Sequence, residues 1–218
     1  MAAFIVANTE VTTAPLVPEI RLRLATAMVP IWQASEETLQ TLGIEPPYWA
    51  FCWPGSQALA RLLLDEPGRA RARRVLDMAA GCGVAAIAAA RCGAAASTAN
   101  EIDPMALAAI TLNAALNGVA VGLEPRDLPG EDAAGLPVRG DWDLILAGDV
   151  CYQQGMAERV TGWLRRQAER GAEVLLADPG RNFLPTAGLE PVASFSVPTS
   201  LDLEDKESKQ TVVWRLRP

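Results

Sequence analysis

Four acidic side chains, each at the end of a short apolar run, offer most of the chemistry in this sequence: Asp77, Glu101, Asp127 and Asp149. Asp77 follows Val75-Leu76 in V-L-D-M-A-A-G-C-G-V-A-A and stands just ahead of Gly81 and Gly83. Glycine has no Cβ, which lets the chain turn sharply and come close to a ligand. The Ala-rich helix expected after that turn opens with unpaired N–H groups, a site suited to an anionic group. Glu101 closes S-T-A-N-E, Asp127 follows Val119 to Arg126, and Asp149 ends D-L-I-L-A-G-D, three residues before Tyr152. Carboxylates so placed can hold a cation or accept from ribose hydroxyls, and an Asp–Tyr pair can grip an amine.

Two cofactors suit the glycine turn. The run Gly81 to Ala86 satisfies G-x-G-x-x-G/A, with Glu101 about where a ribose-binding acid falls, and that pattern serves NAD. Asp77 weighs against it, because a carboxylate facing the cleft repels a pyrophosphate and favours an ammonium or a sulfonium. S-adenosylmethionine carries both cations, with one carboxylate for the turn. The D-x-x-x-G-x-G pattern therefore favours S-adenosylmethionine over NAD. Asp77 is expected to face the methionine ammonium, directly or through water. Glu101 takes the ribose hydroxyls, and Asp127 accepts from the adenine amino group or is a solvated turn residue. Asp149 and Tyr152 fall beside the methyl group, where they can hold an amine in line with the sulfonium carbon. The competing assignment makes Asp149 the cap of the next helix and Tyr152 a packed ring.

Such acids meet only if their strands lie parallel, since ligands bind at the carboxyl ends of parallel strands. From Arg73 onward the sequence alternates accordingly. Asp103-Pro104 starts a helix running through Met105, Leu107, Ile110, Leu112 and Leu116 to the stop at Asn117-Gly118. Val119 to Arg126 reads as a weaker third strand, and Pro129 to Gly135 as loop. Asp143 to Asp149 is a nearly continuous apolar strand, suited to a sheet covered on both faces. Met156, Val160, Trp163 and Leu164 mark one face of a helix that Gly171 ends. Ala172 to Asp178 is a fifth strand, closed by the turn D-P-G-R at Arg181. Alternation at Ala193, Phe195 and Val197, and again at Val212, Trp214 and Leu216, implies an antiparallel pair added to the parallel sheet.

The first part differs. Ile20, Leu22 and Leu24 alternate with Arg21 and Arg23 like a strand, and Ser35, with Glu36 and Glu37, opens a short helix that Gly43 closes. Residues 1–47 read as a lid or substrate-side extension, or as simple packing on the sheet edge. The segment P-P-Y-W-A-F-C-W-P-G-S-Q follows, held extended by Pro46, Pro47 and Pro54. A helix from about Ser56 to Leu64 then buries Leu59, Leu62 and Leu63. Tyr48, Trp49, Phe51 and Trp53 divide between core packing and an aromatic wall beside the cofactor or a target amine.

Composition narrows the function. The chain of 218 residues carries a formal charge of −7, which disfavours a nucleic-acid backbone as partner and mildly favours a basic one. No apolar run is long enough to span a bilayer, and no charged leader with a cleavage site opens the sequence, so a cytoplasmic protein is expected. Histidine is absent, which removes imidazole catalysis, and four scattered cysteines with no C-x-x-C pair make a zinc site improbable.

Taken together, the segments resemble the seven-β-strand, class I methyltransferases, and within them the electron transfer flavoprotein beta-subunit lysine methyltransferases. The motifs are V-P-E-I (Val17 to Ile20), P-P-Y-W-A-F-C-W-P-G-S-Q-A-L-A-R (Pro46 to Arg61) and V-L-D-M-A-A-G-C-G (Val75 to Gly83). N-E-I-D-P (Asn100 to Pro104), L-A-G-D-V-C-Y (Leu146 to Tyr152) and D-P-G-R (Asp178 to Arg181) complete them. The resemblance implies a single α/β domain over 1–218: a Rossmann-like core at 54–218, mostly parallel with helices on both faces, a C-terminal antiparallel pair and an N-terminal extension. It implies methyl transfer from S-adenosylmethionine to a protein lysine, with the electron transfer flavoprotein beta subunit as first candidate, and neither nucleic acid nor membrane as partner. By that likeness Trp53, Asp77, Gly81, Gly83 and Glu101 hold the cofactor, and Asp149 and Tyr152 line the lysine site. Ala79 stands where the family usually has its first glycine, and Glu101 replaces the more usual Asp. Those departures keep open a small-molecule amine or ribosomal-protein type of methyltransferase, and more distantly an NAD oxidoreductase or a non-catalytic binding module.

Overall fold

Three consecutive core strands send alternate side chains to opposite faces, and that alternation builds a sheet buried on both sides. These are β3 (Arg74–Met78), β6 (Leu144–Gly148) and β7 (Glu173–Asp178). Val75, Leu144, Leu146, Leu175 and Ala177 enter one core, while Leu76, Ile145, Ala147, Val174 and Leu176 enter the other. The computed structural model describes residues 1–25, 46–135, 140–199 and 206–218. The predicted helix from Ser35 to Gly43 lies outside the described residues.

The main sheet has seven strands in the order β5-β4-β3-β6-β7-β9-β8. Here β4 is Ala96–Asn100, β5 is Gly122–Glu124, β8 is Leu189–Pro198 and β9 is Ser208–Leu216. The strands from β5 to β7 are parallel, and β9 runs antiparallel to both β7 and β8. From β3 the chain steps outward through β4 to β5, then crosses back to β6 and moves outward through β7. The reversal between β3 and β6 opens a crevice at their carboxyl ends, where such sheets bind ligands.

Helices α2 (Pro54–Asp65) and α3 (Val84–Arg91) cover one face with Leu59, Leu63 and Ile87. Helix α6 (Gln154–Glu169) covers the other with Trp163 and Leu164, both fully buried. Burying a leucine-sized side chain contributes about 1.5–3 kcal/mol, so the two faces together supply the main stabilisation. The first residues form α1 (Ala2–Asn8) and a separate hairpin of β1 (Glu10–Ala14) and β2 (Val17–Leu24). The alternation read at Ile20, Leu22 and Leu24 is that of β2, whose buried side chains join the α2/α3 core. Asn113 and Asn117 accept the backbone N–H groups of Arg23 (2.7 Å) and Arg21 (3.1 Å), which fastens β2 to α4 (Pro104–Leu116).

Several elements differ from their sequence reading. Pro54 does not hold the chain extended but occupies the first turn of α2, where its missing N–H costs nothing. Pro129 does the same in α5 (Leu128–Ala133), a helix where loop was expected. Asp127 is its N-cap, accepting from the Gly130 N–H at 3.2 Å. The third strand shrinks to Gly122–Glu124. The helix α4 runs where expected, and its buried residues are Ala106, Ala109, Ile110, Asn113 and Ala114. In β9 the innermost positions are Thr211, Val213 and Leu216.

Candidate active site

A cavity of about 800 Å³ lies over the carboxyl ends of β3, β4 and β6, within the size range of cofactor sites. Its floor is the turn after β3. Ala79, Gly81 and Gly83 all have positive φ, at 52°, 53° and 79°. A Cβ built on Gly81 meets nothing within 4 Å, so the space above this residue is open and glycine serves the backbone conformation. Gly83 behaves differently. A Cβ there would lie 3.0 Å from Ile110, so this glycine seats the turn against α4 rather than lining the cavity. Ala79 holds the left-handed conformation with a side chain in place, which costs an L-residue about 1–2 kcal/mol.

Asp77, expected near the methionine ammonium, does not line the cavity. It lies inside β3, 2% exposed, behind a cavity wall made of Met78, Ala79 and Ala80. Its Oδ2 accepts the Ala86 N–H in the first turn of α3 at 2.9 Å. The strand runs one residue beyond the sequence reading, and strand alternation turns the carboxylate away from the crevice. Burial, with a smaller contribution from the Glu101 charge, pushes its pKa up to about 8. Glu101, just past β4, does line the cavity. Its Oε2 accepts from the Gly81 N–H (3.1 Å) and its Oε1 from the Ile102 N–H (2.8 Å), so the carboxylate is held against the turn. Asp127 is also in the wall, but caps α5 and pairs with Arg159 at 3.1 Å.

The opposite end of the cavity is built around Asp149. This residue follows β6 with φ of 57°, a left-handed conformation that aspartate tolerates better than most side chains. Its Oδ2 accepts the Ser56 N–H at the start of α2, 3.1 Å away. The helix comes this close only because two positions lack side chains. A Cβ on Gly55 would lie 2.6 Å from Asp149 Oδ2, and one on Gly148 would lie 2.7 Å from the Ser56 nitrogen. Asp149 thus sits at the N-terminus of α2 and does not cap α6, whose N-cap is Gln153. It is 9% exposed, and its Oδ1 makes no hydrogen bond within the described residues. Burial raises its pKa to about 7, opposed by the charge of Arg181.

Aromatic rings line the same cavity as this carboxylate. Tyr152 is 41% exposed and its ring centroid lies 5.7 Å from that of Tyr48. Tyr48 in turn lies 6.1 Å from Trp53, which donates its Nε1–H to the Tyr48 carbonyl oxygen at 2.9 Å. Trp49 and Phe51 turn to the core, yet both still edge the cavity. One buried carboxylate beside aromatic faces suits an amine or ammonium, which both a charge and ring quadrupoles attract.

Comparison with known proteins bears on the same features. The model of the ribosomal protein L11 methyltransferase (PrmA) family matches residues 56–148. The electron transfer flavoprotein beta subunit lysine methyltransferase of Xenopus laevis is 42% identical over 221 residues, covering 99% of this chain and 87% of the relative. This chain belongs to the electron transfer flavoprotein beta subunit lysine methyltransferase family. It is a methyltransferase, and the NAD oxidoreductase reading falls. Among solved structures, a ribosomal protein L11 methylase from Lactobacillus delbrueckii subsp. bulgaricus shares the fold, with a TM-score of 0.51 at 20% identity over 75% of this chain and 79% of that one. A magnesium protoporphyrin IX methyltransferase from Synechocystis PCC 6803, solved with bound SAM, has a TM-score of 0.51 at 14% identity over 74% of this chain and 79% of its own.

Within this methyltransferase the structure brings Trp53, Ala79, Gly81, Glu101, Asp127, Asp149 and Tyr152 to one cavity and leaves Asp77 and Gly83 behind its wall. It adds Ser56, Asn100 and Arg181, which residue patterns alone did not single out. Asn100 donates to the Glu124 (2.7 Å) and Arg126 (2.8 Å) carbonyls and so ties β4 to the chain leading to Asp127. The signal for Arg181 was present in D-P-G-R, a segment read as a turn and as a family motif but given no site role.

Proposed function

We propose that this protein transfers the methyl group of S-adenosylmethionine to a lysine side chain of a folded protein, the beta subunit of electron transfer flavoprotein. The observation that carries the reading is Asp149: a buried carboxylate with one oxygen fixed on the α2 backbone, the other without a hydrogen bond among the described residues, and tyrosines lining the same cavity. The cofactor end fits the donor, because open space over Gly81 and the N-terminus of α3 suit its carboxylate, and Glu101 suits its ribose. When bound there, S-adenosylmethionine supplies an electrophilic methyl group.

The lysine must lose a proton before it can attack. Its pKa near 10.4 makes that cost about 4.6 kcal/mol at pH 7. Asp149, raised to about 7, lies within about 3.4 pH units of lysine, where an ordinary aspartate lies about 6.5 below it. Proton transfer to Asp149 is correspondingly less uphill, and the same carboxylate then holds the amine. Tyr48, Tyr152 and Trp53 exclude water and orient the side chain, which converts approach into in-line positioning.

A ribosomal-protein substrate is the second reading, favoured by the L11 methyltransferase family match. That match ends at residue 148, however, and leaves Tyr48, Trp53, Asp149, Tyr152 and Arg181 outside it. The test is incubation with purified beta subunit, with L11 and with free lysine, each with labelled S-adenosylmethionine, followed by mass spectrometry. Methyl-lysine on the beta subunit is expected; label only on L11 or on free amines would overturn the substrate assignment. The free thiols suit a reducing, cytoplasmic setting, and we propose that location.

A further inference from the structure

We propose that Arg181 is a positioning residue for methyl transfer, the fixed counter-charge that keeps Asp149 an ionised amine acceptor at neutral pH. The inference rests on the amine-binding reading of Asp149 given above. Arg181 lines the cavity on the side away from the cofactor turn, and its Nη2 lies 4.0 Å from Asp149 Oδ1. That separation is longer than a hydrogen bond. The guanidinium therefore acts on the carboxylate through charge, and leaves Oδ1 to an incoming amine.

The backbone that carries Arg181 is pinned. Asp178, 1% exposed at the end of β7, accepts the N–H groups of Gly180 (2.7 Å) and Arg181 (2.6 Å) through one oxygen. Gly180 has φ of 89°, the left-handed conformation this tight D-P-G-R turn requires. The arginine is thus held at the end of the neighbouring strand, and the loop after it meets the Asp149 loop through the Phe183 N–H, which donates to the Cys151 carbonyl at 3.3 Å.

The groups facing Asp149 set a balance. Burial and the Asp178 charge favour its protonated form; Arg181 and the Gly55 and Ser56 N–H groups of α2 favour the ionised form. Cys151 and Cys52 also lie within reach of its field, and their raised pKa values keep both thiols neutral near pH 7. Arg181 is the single full positive charge in this balance among the described residues. Removing it leaves burial and Asp178 opposed only by backbone dipoles.

The experiment is the pH profile of kcat/KM for methylation of the beta subunit by the wild-type protein and by Arg181→Gln and Arg181→Lys. An opposite charge at about 4 Å moves a carboxyl pKa by about 1–3 units. The acidic limb of Arg181→Gln is expected to move up by that amount, with kcat reduced at pH 7 and S-adenosylmethionine affinity unchanged. Arg181→Lys is expected to restore the limb. Equal limbs in wild type and Arg181→Gln overturn the proposal while leaving the substrate reading intact. If the wild type does not methylate the beta subunit, the substrate reading has failed and thermal unfolding still tests the charge relation. Stability linked to Asp149 is lost as pH rises through its folded pKa, so Arg181→Gln should extend that loss to higher pH, and only when Asp149 is present rather than Asn. No such difference overturns the proposal. If Arg181→Gln does not fold, Arg181→Met, with a longer apolar stem, carries the same expectations.

Discussion

Alanine at position 55 would place a methyl carbon 2.5 Å from the Ala177 carbonyl oxygen, 2.6 Å from Asp149 Oδ2 and 2.8 Å from the Asp149 nitrogen. Two of these atoms belong to the backbone of β7 and of the turn after β6, so no side-chain rotation relieves the contact. The start of α2 must lift away. Overpacking of this kind costs about 1–3 kcal/mol. Lifting the helix also breaks the Ser56 N–H bond to the Asp149 carboxylate, a charge-assisted contact worth about 1.5–3 kcal/mol. Against these, alanine gains up to about 1 kcal/mol in helix propensity. The net loss for Gly55→Ala is about 1.5–5 kcal/mol, which for a chain of this size lowers Tm by about 3–20 °C. Calorimetric unfolding measures that fall, and steady-state kinetics add the functional side. The turnover number should drop with Asp149 displaced, while S-adenosylmethionine affinity, set at the Gly81 end, holds. A Gly55→Ala protein with wild-type Tm and wild-type turnover would refute the claim that close helix–strand contact positions Asp149.

Asp149→Asn should lower turnover by about 10²-fold or more, the scale of a positioned acid–base group, with little change in cofactor binding by calorimetry; intact turnover would remove it from the chemistry. Glu101→Gln should weaken S-adenosylmethionine by about 1.5–3 kcal/mol in the same titration, because both its oxygens serve the turn as charged acceptors. Ala79→Gly relieves the left-handed alanine at the cost of a more flexible unfolded chain, for a net gain of about 0.5–1 kcal/mol; a lower denaturant midpoint would show that φ of 52° is unstrained. Asp77 and Asp149 have folded pKa values of about 8 and about 7 against an ordinary 3.8. The folded state therefore holds their protons more tightly than the unfolded chain. Their contribution is complete below about pH 4 and is lost as pH rises through 7 and 8. Tm of the cofactor-free protein should fall across that window, and Asp77→Asn should flatten the fall; an unchanged slope would contradict the burial assigned to Asp77.

The parallel core was legible because its strands are short, apolar and punctuated by acids and glycines at fixed offsets. Glu101, Asp149 and Tyr152 could be placed at one edge from the strand ends alone. The errors have local causes. Leu128-Pro129-Gly130 holds two residues that usually mark loops, yet a capping aspartate ahead of a first-turn proline starts a helix. Asp77 was assigned to the crevice as the acid at the end of its strand, yet it shares a face with Val75, which packs toward α2 and α3. Ser56 and Arg181 escaped notice because their importance lies in what they approach. Nothing near Arg181 in sequence announces Asp149, and the pairing of Gly55 with Gly148 exists only once α2 has docked.

The hydrogen bonds of the two cavity ends span very different lengths of chain. At the cofactor end, Asp77 reaches Ala86 across 9 residues and Glu101 reaches Gly81 across 20. At the amine end, Ser56 reaches Asp149 across 93, and Tyr48 meets Tyr152 from the other half of the sequence. Contacts that close long loops are slower to form than contacts made within one βαβ unit, because more chain entropy is lost in closing them. The donor end is thus closed by contacts local in sequence, and the amine end by contacts between the two halves of the chain, which carry the larger loop-closure entropy.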